Sequence, residues 1–285
     1  MRFFLLVTNL LVTFAITRAQ DAETAAASAA SVAAVVKNLN SRDGTKIYAE
    51  AAGNPNGPHV IFAHGLACTS AAFDSIFADK VMLSTLYMVR YDTRGHVSNR
   101  SLAGAIGADI ATNFPSPLPF SGLIWLAALP YLGDILPKVA TDTVLSFLPG
   151  LQDTTNTAFG LQTRIDFVDT LSALPNVPYA TKLGWVGSSV FLPPAVASLA
   201  LGRTQDPSRL LQEAAAGWPL LILHGTADKQ INGTAVINNM APLFKNVESH
   251  LIKGAGHIPF YDAEPTVSAY ILAFIARVKL TNPYP

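Results

Sequence analysis

Three side chains in this sequence have the types and order of a nucleophile with its orienting acid and its base: Ser101, Asp228 and His257. Ser101 stands in Asn99-Arg100-Ser101-Leu102-Ala103-Gly104, ahead of a small-residue run of helical character from Ala105 to Ala111. That is nearly the small-x-Ser-x-small pattern of a tight strand-to-helix turn that pushes a hydroxyl out of the backbone, with Asn99 at the first small position. A serine hydroxyl is a weak nucleophile at neutral pH and needs a base within hydrogen-bond reach. His257, in Gly254-Ala255-Gly256-His257, is the candidate base. Imidazole changes charge between about pH 5 and 8, and a Gly-Ala-Gly loop can bring the ring to a sheet edge. Asp228, in His224-Gly225-Thr226-Ala227-Asp228, is the candidate carboxylate to fix the imidazole tautomer and stabilise the imidazolium. Each residue also has a structural reading. Ser101 could be a helix N-cap, Asp228 a turn residue and His257 a hydrogen-bonded loop histidine.

Such groups need a scaffold that carries them at strand ends. Asn54 to Pro58 is a dense turn cluster that releases His59-Val60-Ile61-Phe62-Ala63, a short apolar run expected of a strand buried on both faces. Ser84 to Tyr91 predicts the next buried strand, and Ser121 to Ala128, Pro219 to Leu223 and Val247 to Ile252 predict three more. Helices are expected over Ala71–Lys80, Leu102–Asn113, Thr234–Phe244 and Glu264–Val278. Earlier, Ser41-Arg42-Asp43-Gly44-Thr45 between two alternating stretches predicts a hairpin. Strands alternating with helices imply an α/β fold, a mostly parallel, doubly wound sheet whose ligands gather at the carboxyl ends of the strands. His64-Gly65, Asp92, Asp228 and His257 all fall at such ends.

The 285 residues divide into an expected signal peptide at 1–19, an Ala/Ser-rich linker at 20–36, a core in two parts at 37–128 and 218–280, and a helical cap at 129–217. The cap is read from frequent prolines and short apolar pieces without strand–helix alternation. Its aromatics (Tyr131, Phe147, Phe159, Phe167, Trp185 and Phe191), with Trp125 just before it, imply an apolar pocket with few charges. Arg2, the apolar stretch Phe3 to Ile16 and Thr17-Arg18-Ala19 carry the features of a secretory leader. That apolar stretch is shorter than the roughly 20 residues a membrane span needs. A secreted product with no membrane contact after leader removal is expected.

Formal net charge is zero and no basic cluster exists, which argues against a nucleic-acid partner. Cys68 is the single cysteine, so no internal disulfide forms, and it reads as a small buried hydrophobe. Glycosylation sequons occur at Asn99 and Asn232. The histidines lack metal-ligand spacing and no Gly-rich dinucleotide fingerprint is visible, so no cofactor is expected.

Five motifs, HGLA at 64–67, DTRGH at 92–96, SLAG at 101–104, HGTADKQI at 224–231 and GAGHIPF at 254–260, resemble the α/β-hydrolase family. The likeness is to its cap-bearing, esterase-like and cofactor-free haloperoxidase-like serine hydrolases. It implies a Ser101–His257–Asp228 triad acting through an acyl-enzyme. It further implies that the backbone amides of Leu66 and Leu102 form an oxyanion hole, and that the substrate is a small lipophilic ester or related acyl compound. Serine at the nucleophile position disfavours the dehalogenase and epoxide hydrolase branches, which the resemblance associates with aspartate there.

The family also places a helix and a long apolar strand between RGH and the serine. Here only Val97-Ser98-Asn99-Arg100 separate His96 from Ser101, and Asn99 stands where the pattern has glycine. Either one helix–strand unit is missing, leaving its sheet neighbours with unpaired ladder groups, or Ser84–Tyr91 delivers the serine through a long loop. The accompanying second reading of function is an impaired or non-catalytic relative that at most binds an apolar ligand. A membrane-anchored interaction protein is a third, resting on the N-terminus alone.

Overall fold

A computed structural model describes residues 34–41, 43–92 and 104–281. The expected signal peptide, nearly all of the linker, Arg94, His96, Asn99, Ser101 and Leu102 lie outside the described residues. Among the described residues seven strands are formed: β1 (Val35–Asn40), β2 (Lys46–Gly53), β3 (His59–Ala63), β4 (Tyr87–Tyr91), β5 (Leu123–Leu126), β6 (Leu220–Gly225) and β7 (Val247–Ile252). The helices between β3 and β5 are α1 (Asp74–Ala78), α2 (Lys80–Thr85) and α3 (Ala105–Asn113). Between β5 and β6 come α4 (Leu136–Val139), α5 (Asp142–Gln152), α6 (Thr157–Asp169), α7 (Tyr179–Val190), α8 (Pro194–Leu201) and α9 (Ser208–Ala216). The chain closes with α10 (Gly233–Met240), α11 (Pro259–Asp262) and α12 (Glu264–Thr281).

The predicted hairpin is β1–β2, with Gly44 at φ +80° in its turn, where a side chain would be strained. The expected strand Ser84–Tyr91 is shorter than its apolar run, because Lys80–Thr85 is helix α2. Asp79 caps that helix, accepting from the amides of Val81 at 2.7 Å and Met82 at 3.2 Å. The expected helix Ala71–Lys80 is correspondingly broken into a 3-10 turn (Ser70–Phe73) and α1.

Among the described residues the strands form two sheets, ordered β1-β2-β4-β3 and β5-β6-β7. The pairs β3–β4, β5–β6 and β6–β7 are parallel; β1–β2 and β2–β4 are antiparallel. Strand β4 lies inside the first sheet, between β2 and β3, so it does not stand in for a strand beside β5. The interruption falls between β3 and β5, and Ile61 on β3 is 50% exposed although its run HVIFA reads as fully buried.

Both sheets feed one core. Phe62 of β3 and Leu221 and Leu223 of β6 share a buried cluster with Ile76, Met82, Phe260 and Ile271. Successive residues of a strand point to opposite faces. Accordingly Leu220 and Ile222 enter a second cluster with Trp125, Leu210, Val236 and Met240. All four β6 side chains from Leu220 to Leu223 are 0% exposed, and each such burial is worth roughly 1.5–3 kcal/mol. This buried strand is the platform on which the candidate site rests.

In the cap, the Arg164 guanidinium is buried with no carboxylate paired to it among the described residues. It donates instead to the carbonyls of Gly160 (3.0 Å), Ser189 (3.2 Å) and Leu192 (2.8 Å), joining α6 to the C-terminal end of α7 and the turn beyond it.

Candidate active site

Strand β6 ends at Gly225 and the chain turns through Thr226-Ala227 to Asp228. The next strand, β7, ends at Ile252 and leads into the loop that carries His257. Backbone bonds lace the two loops together: Thr226 N–H to Ile252 at 3.0 Å and Ala227 N–H to Ala255 at 2.9 Å. The Thr226 hydroxyl also accepts from the Gly254 amide at 2.8 Å. Gly225 is required for the crossing, since a Cβ there would sit 2.0 Å from the Ala255 carbonyl and 2.3 Å from that of Gly256. Neither is the yielding end of a side chain. Gly225→Ala is therefore expected to displace the His257 loop. It should lower any catalytic rate at least about tenfold and cost about 1–3 kcal/mol of stability by overpacking, read by steady-state kinetics and denaturant unfolding.

The two predicted residues meet. His257 Nδ1 lies 3.0 Å from Asp228 Oδ2. An ionised carboxylate only accepts, so the proton sits on Nδ1 and Nε2 keeps its lone pair. The Asp228 side chain is 1% exposed and that of His257 22%, an acid shielded from water beside a base that is not. The other carboxylate oxygen, Oδ1, accepts from the amides of Gln230 at 2.7 Å and Ile231 at 3.0 Å. Burial alone would raise the Asp228 pKa. The charge and hydrogen bond of His257, with those two amides, outweigh it and hold the carboxyl below its ordinary value.

A second histidine stands behind the pair. His224 is fully buried on β6, with Nδ1 3.9 Å from Asp228 Oδ2; the Ala128 carbonyl faces the ring, but neither ring nitrogen makes a hydrogen bond of good geometry among the described residues. Burial pushes its pKa down to about 4, against the opposing pull of Asp228. Its seat depends on Gly233, where a Cβ would lie 2.4 Å from that of His224.

Two further residues, absent from the motif reading as functional groups, fasten these loops to the cap. Asp262 Oδ2 accepts from the amides of Gly256 (2.7 Å) and Ala173 (2.8 Å), and its Oδ1 from the Ser172 hydroxyl. Gln230, buried beside Asp228, donates its side-chain amide to Thr170 Oγ1 at 2.9 Å and the Phe167 carbonyl at 3.3 Å. Their only sequence signal is closeness to Asp228 and His257.

The turn after β3 supplies the opposite wall. Leu66 lies in it, packed against the main core, and Ala67 takes φ +57°, a left-handed backbone uncommon for a residue with a side chain. A small cavity of about 10 Å³, room for little more than a water-sized group, opens between that turn, α7 and the His257 loop. Ala67, Cys68, Thr69, Leu171, Trp185 and Ile258 line it. Cys68 is only partly buried by accessible surface, yet its surroundings push the thiol up to about 12 and favour the protonated form where it lines the cavity.

Solved structures share this architecture. A protein assigned as an aryl esterase from Burkholderia cenocepacia is 18% identical, with a TM-score of 0.74 over 87% of this chain and 100% of its own. An esterase from Rhodococcus sp. gives 0.73 at 18% identity over 85% and 99%, and a bromoperoxidase from Bacillus anthracis gives 0.65 at 16% over 86% and 100%. The chain has the α/β-hydrolase fold. No family model and no curated protein sequence matches it.

Within that fold, Asp228 and His257 come together, and Leu66 lies in the turn after β3. Ser101 and Leu102 lie outside the described residues. Asp92 makes a turn contact, accepting from the Ser70 amide at 2.8 Å. His64 is buried with Nδ1 2.9 Å from the Gly65 carbonyl. The expectation that the cap aromatics together line a pocket is corrected. Of them only Trp185 reaches the cavity, edge-on to Tyr261 at 5.0 Å. Phe147 and Phe167 pack on each other, Trp125 and Tyr131 join the second core cluster, and Phe159 and Phe191 are exposed. Among the described residues no group of three or more His, Cys, Asp or Glu is placed to hold a metal ion.

Proposed function

We propose that this protein hydrolyses small lipophilic carboxylic esters through an acyl-enzyme, with Ser101 as nucleophile, His257 as base and Asp228 as the orienting acid. The observation that carries the reading is the buried Asp228 carboxylate bound to His257 Nδ1 at 3.0 Å, anchored by two backbone amides on its far side. A structural loop pair needs neither a buried charge nor a partly open ring held against it. Esterases among the fold's solved relatives support the same class of reaction.

The chemistry follows from the tautomer. His257 Nε2 accepts the serine proton as Oγ attacks the ester carbonyl, and Asp228 stabilises the imidazolium that forms. The amides of Leu66 and Leu102 take the negative charge that develops on the carbonyl oxygen, removal of one such donor typically costing ~10²–10³ in rate. Collapse expels the alcohol, protonated by His257, and water then repeats the sequence to release the acid. Residues 1–19 direct export in this proposal, and no cofactor takes part.

The interruption between β3 and β5 favours one rival, an impaired relative that only binds an apolar ligand. Labelling with a fluorophosphonate probe decides between them. Labelling of the full chain that disappears in Ser101→Ala is the expected result. A folded protein that takes no label overturns the hydrolase reading.

A further inference from the structure

Among the described residues the His257 ring makes one hydrogen bond, from Nδ1 to Asp228 at 3.0 Å. One bond fixes a distance and leaves the tilt of the ring to the backbone that carries it. That backbone is gripped on both sides of the histidine. Ahead of it, the Gly256 amide donates to Asp262 Oδ2 at 2.7 Å; behind it, the Ile258 amide donates to the Leu171 carbonyl at 3.1 Å. Asp262 in turn accepts from the Ala173 amide at 2.8 Å and from the Ser172 hydroxyl. Both grips therefore close on the same three residues of the cap.

The approach is tight. A Cβ on Gly256 would lie 2.8 Å from the Ala173 nitrogen and 2.9 Å from the Leu171 carbonyl oxygen, so glycine is what lets the loop press against the cap there. Asp262 is itself a fixed point. It ends α11, where Phe260 is buried against Phe73 with ring centroids 5.1 Å apart, and the Phe260 carbonyl accepts from the Ser75 hydroxyl at 3.0 Å. The acid loop reaches the same part of the cap by another route. Gln230, whose backbone amide holds Asp228 Oδ1, donates its side chain to Thr170 and Phe167. Acid and base are thus both seated on the cap segment 167–173.

We propose that Asp262 is a positioning residue for the hydrolysis: it holds the His257 loop on the cap at the place where Nε2 can take the serine proton. The kinetic consequence rests on the hydrolase reading; the setting of the ring against Asp228 does not. What counts is where the acceptor oxygens sit, because two amides and a hydroxyl ask for acceptors and not for charge. Asparagine at 262 keeps an oxygen for both amides and turns its NH₂ toward the Ser172 hydroxyl, which can accept. Glutamate keeps the charge but carries it one methylene away. Alanine leaves the two amides without their acceptor.

Ring ¹⁵N spectra of the full-length chain, with His257→Gln to assign the signals, read the tautomer without substrate. Kinetics on a chromogenic ester read the consequence. Asp262→Ala and Asp262→Glu are each expected to lower kcat about 10²-fold with KM changed no more than about twofold. In both, His257 should pass from the Nδ1-protonated tautomer to a mixture. Asp262→Asn is expected to rescue the tautomer and bring kcat back to within about threefold of the unsubstituted chain. Should the alanine variant fail to fold, the glutamate and asparagine variants decide the matter between them. An unchanged ring spectrum in Asp262→Glu would overturn the proposal, and so would an Asp262→Asn chain impaired as deeply as Asp262→Glu. Absence of fluorophosphonate labelling in the unsubstituted chain would instead remove the hydrolase reading, while the ring spectra still show whether Asp262 sets the histidine.

Discussion

Asp228→Asn is expected to lower kcat toward an ester about 10⁴-fold while leaving the protein folded. The asparagine keeps its carbonyl oxygen where Oδ1 now accepts from Gln230 and Ile231, because those two amides need an acceptor. Its NH₂ group must then face His257 Nδ1, where only an acceptor would suit a protonated ring nitrogen. The imidazole responds by moving its proton to Nε2, and that nitrogen can no longer take a proton from serine. Kinetics with a chromogenic ester, beside melting temperatures for both proteins, check it. An undiminished kcat in the variant would show that Asp228 serves only as a turn anchor.

The second large effect is acid sensitivity, and it comes from His224. In the unfolded chain its imidazole takes up a proton as pH falls through about 6.5, whereas the folded, buried ring stays neutral down to about 4. Between those values the unfolded state binds more protons, so stability falls as pH falls, by up to about 3 kcal/mol at the lower end. Above pH 6.5 both states are neutral at this residue and it contributes no slope. The groups that face the ring are Asp228, His257 and the Ala128 carbonyl. Asp228 stays charged through most of the window, because its own pKa is depressed and its loss of stability comes at lower pH. Glu264 is raised by burial and works in the opposite direction, but a change at residue 224 leaves it untouched. Guanidinium unfolding at pH 7 and at pH 4.5 should therefore show a steep acid loss in the natural protein and a much flatter one in His224→Leu. Parallel slopes would mean that water or a partner group satisfies the ring.

What could be read in the chain was the part encoded by local pattern. Asp228 sits in a short loop directly after the continuous apolar strand β6 and His257 in one after the mixed strand Val247–Ile252, and the α/β rule puts such loops on one sheet edge. Their meeting follows from topology before any distance is known. Ser84 and Thr85 misled because they run without a break into the apolar Leu86-Tyr87-Met88-Val89, and only Asp79, a cap five residues earlier, marks the helix that holds them. Nothing local in the sequence distinguishes a histidine that a strand will bury, such as His224, from one that a loop will hydrate. Asp262 and Gln230 were silent for a related reason. Their partners, Ala173, Thr170 and Phe167, are some 60 to 90 residues away in sequence, in the cap. The short link from His96 to Ser101 was legible as a count, and the broken sheet order places its consequence between β3 and β5.

That break bears on how the protein behaves before it is ever assayed. Among the described residues β3 pairs only with β4 and β5 only with β6, so each carries a free row of backbone donors and acceptors. One of these rows belongs to His59-Val60-Ile61-Phe62-Ala63, uncharged, rich in β-formers and half-open at Ile61. An edge of that composition is a template on which other chains can add a strand. Crowded synthesis therefore sets chains against one another at β3. Monomer yield on refolding is expected to fall as chain concentration rises.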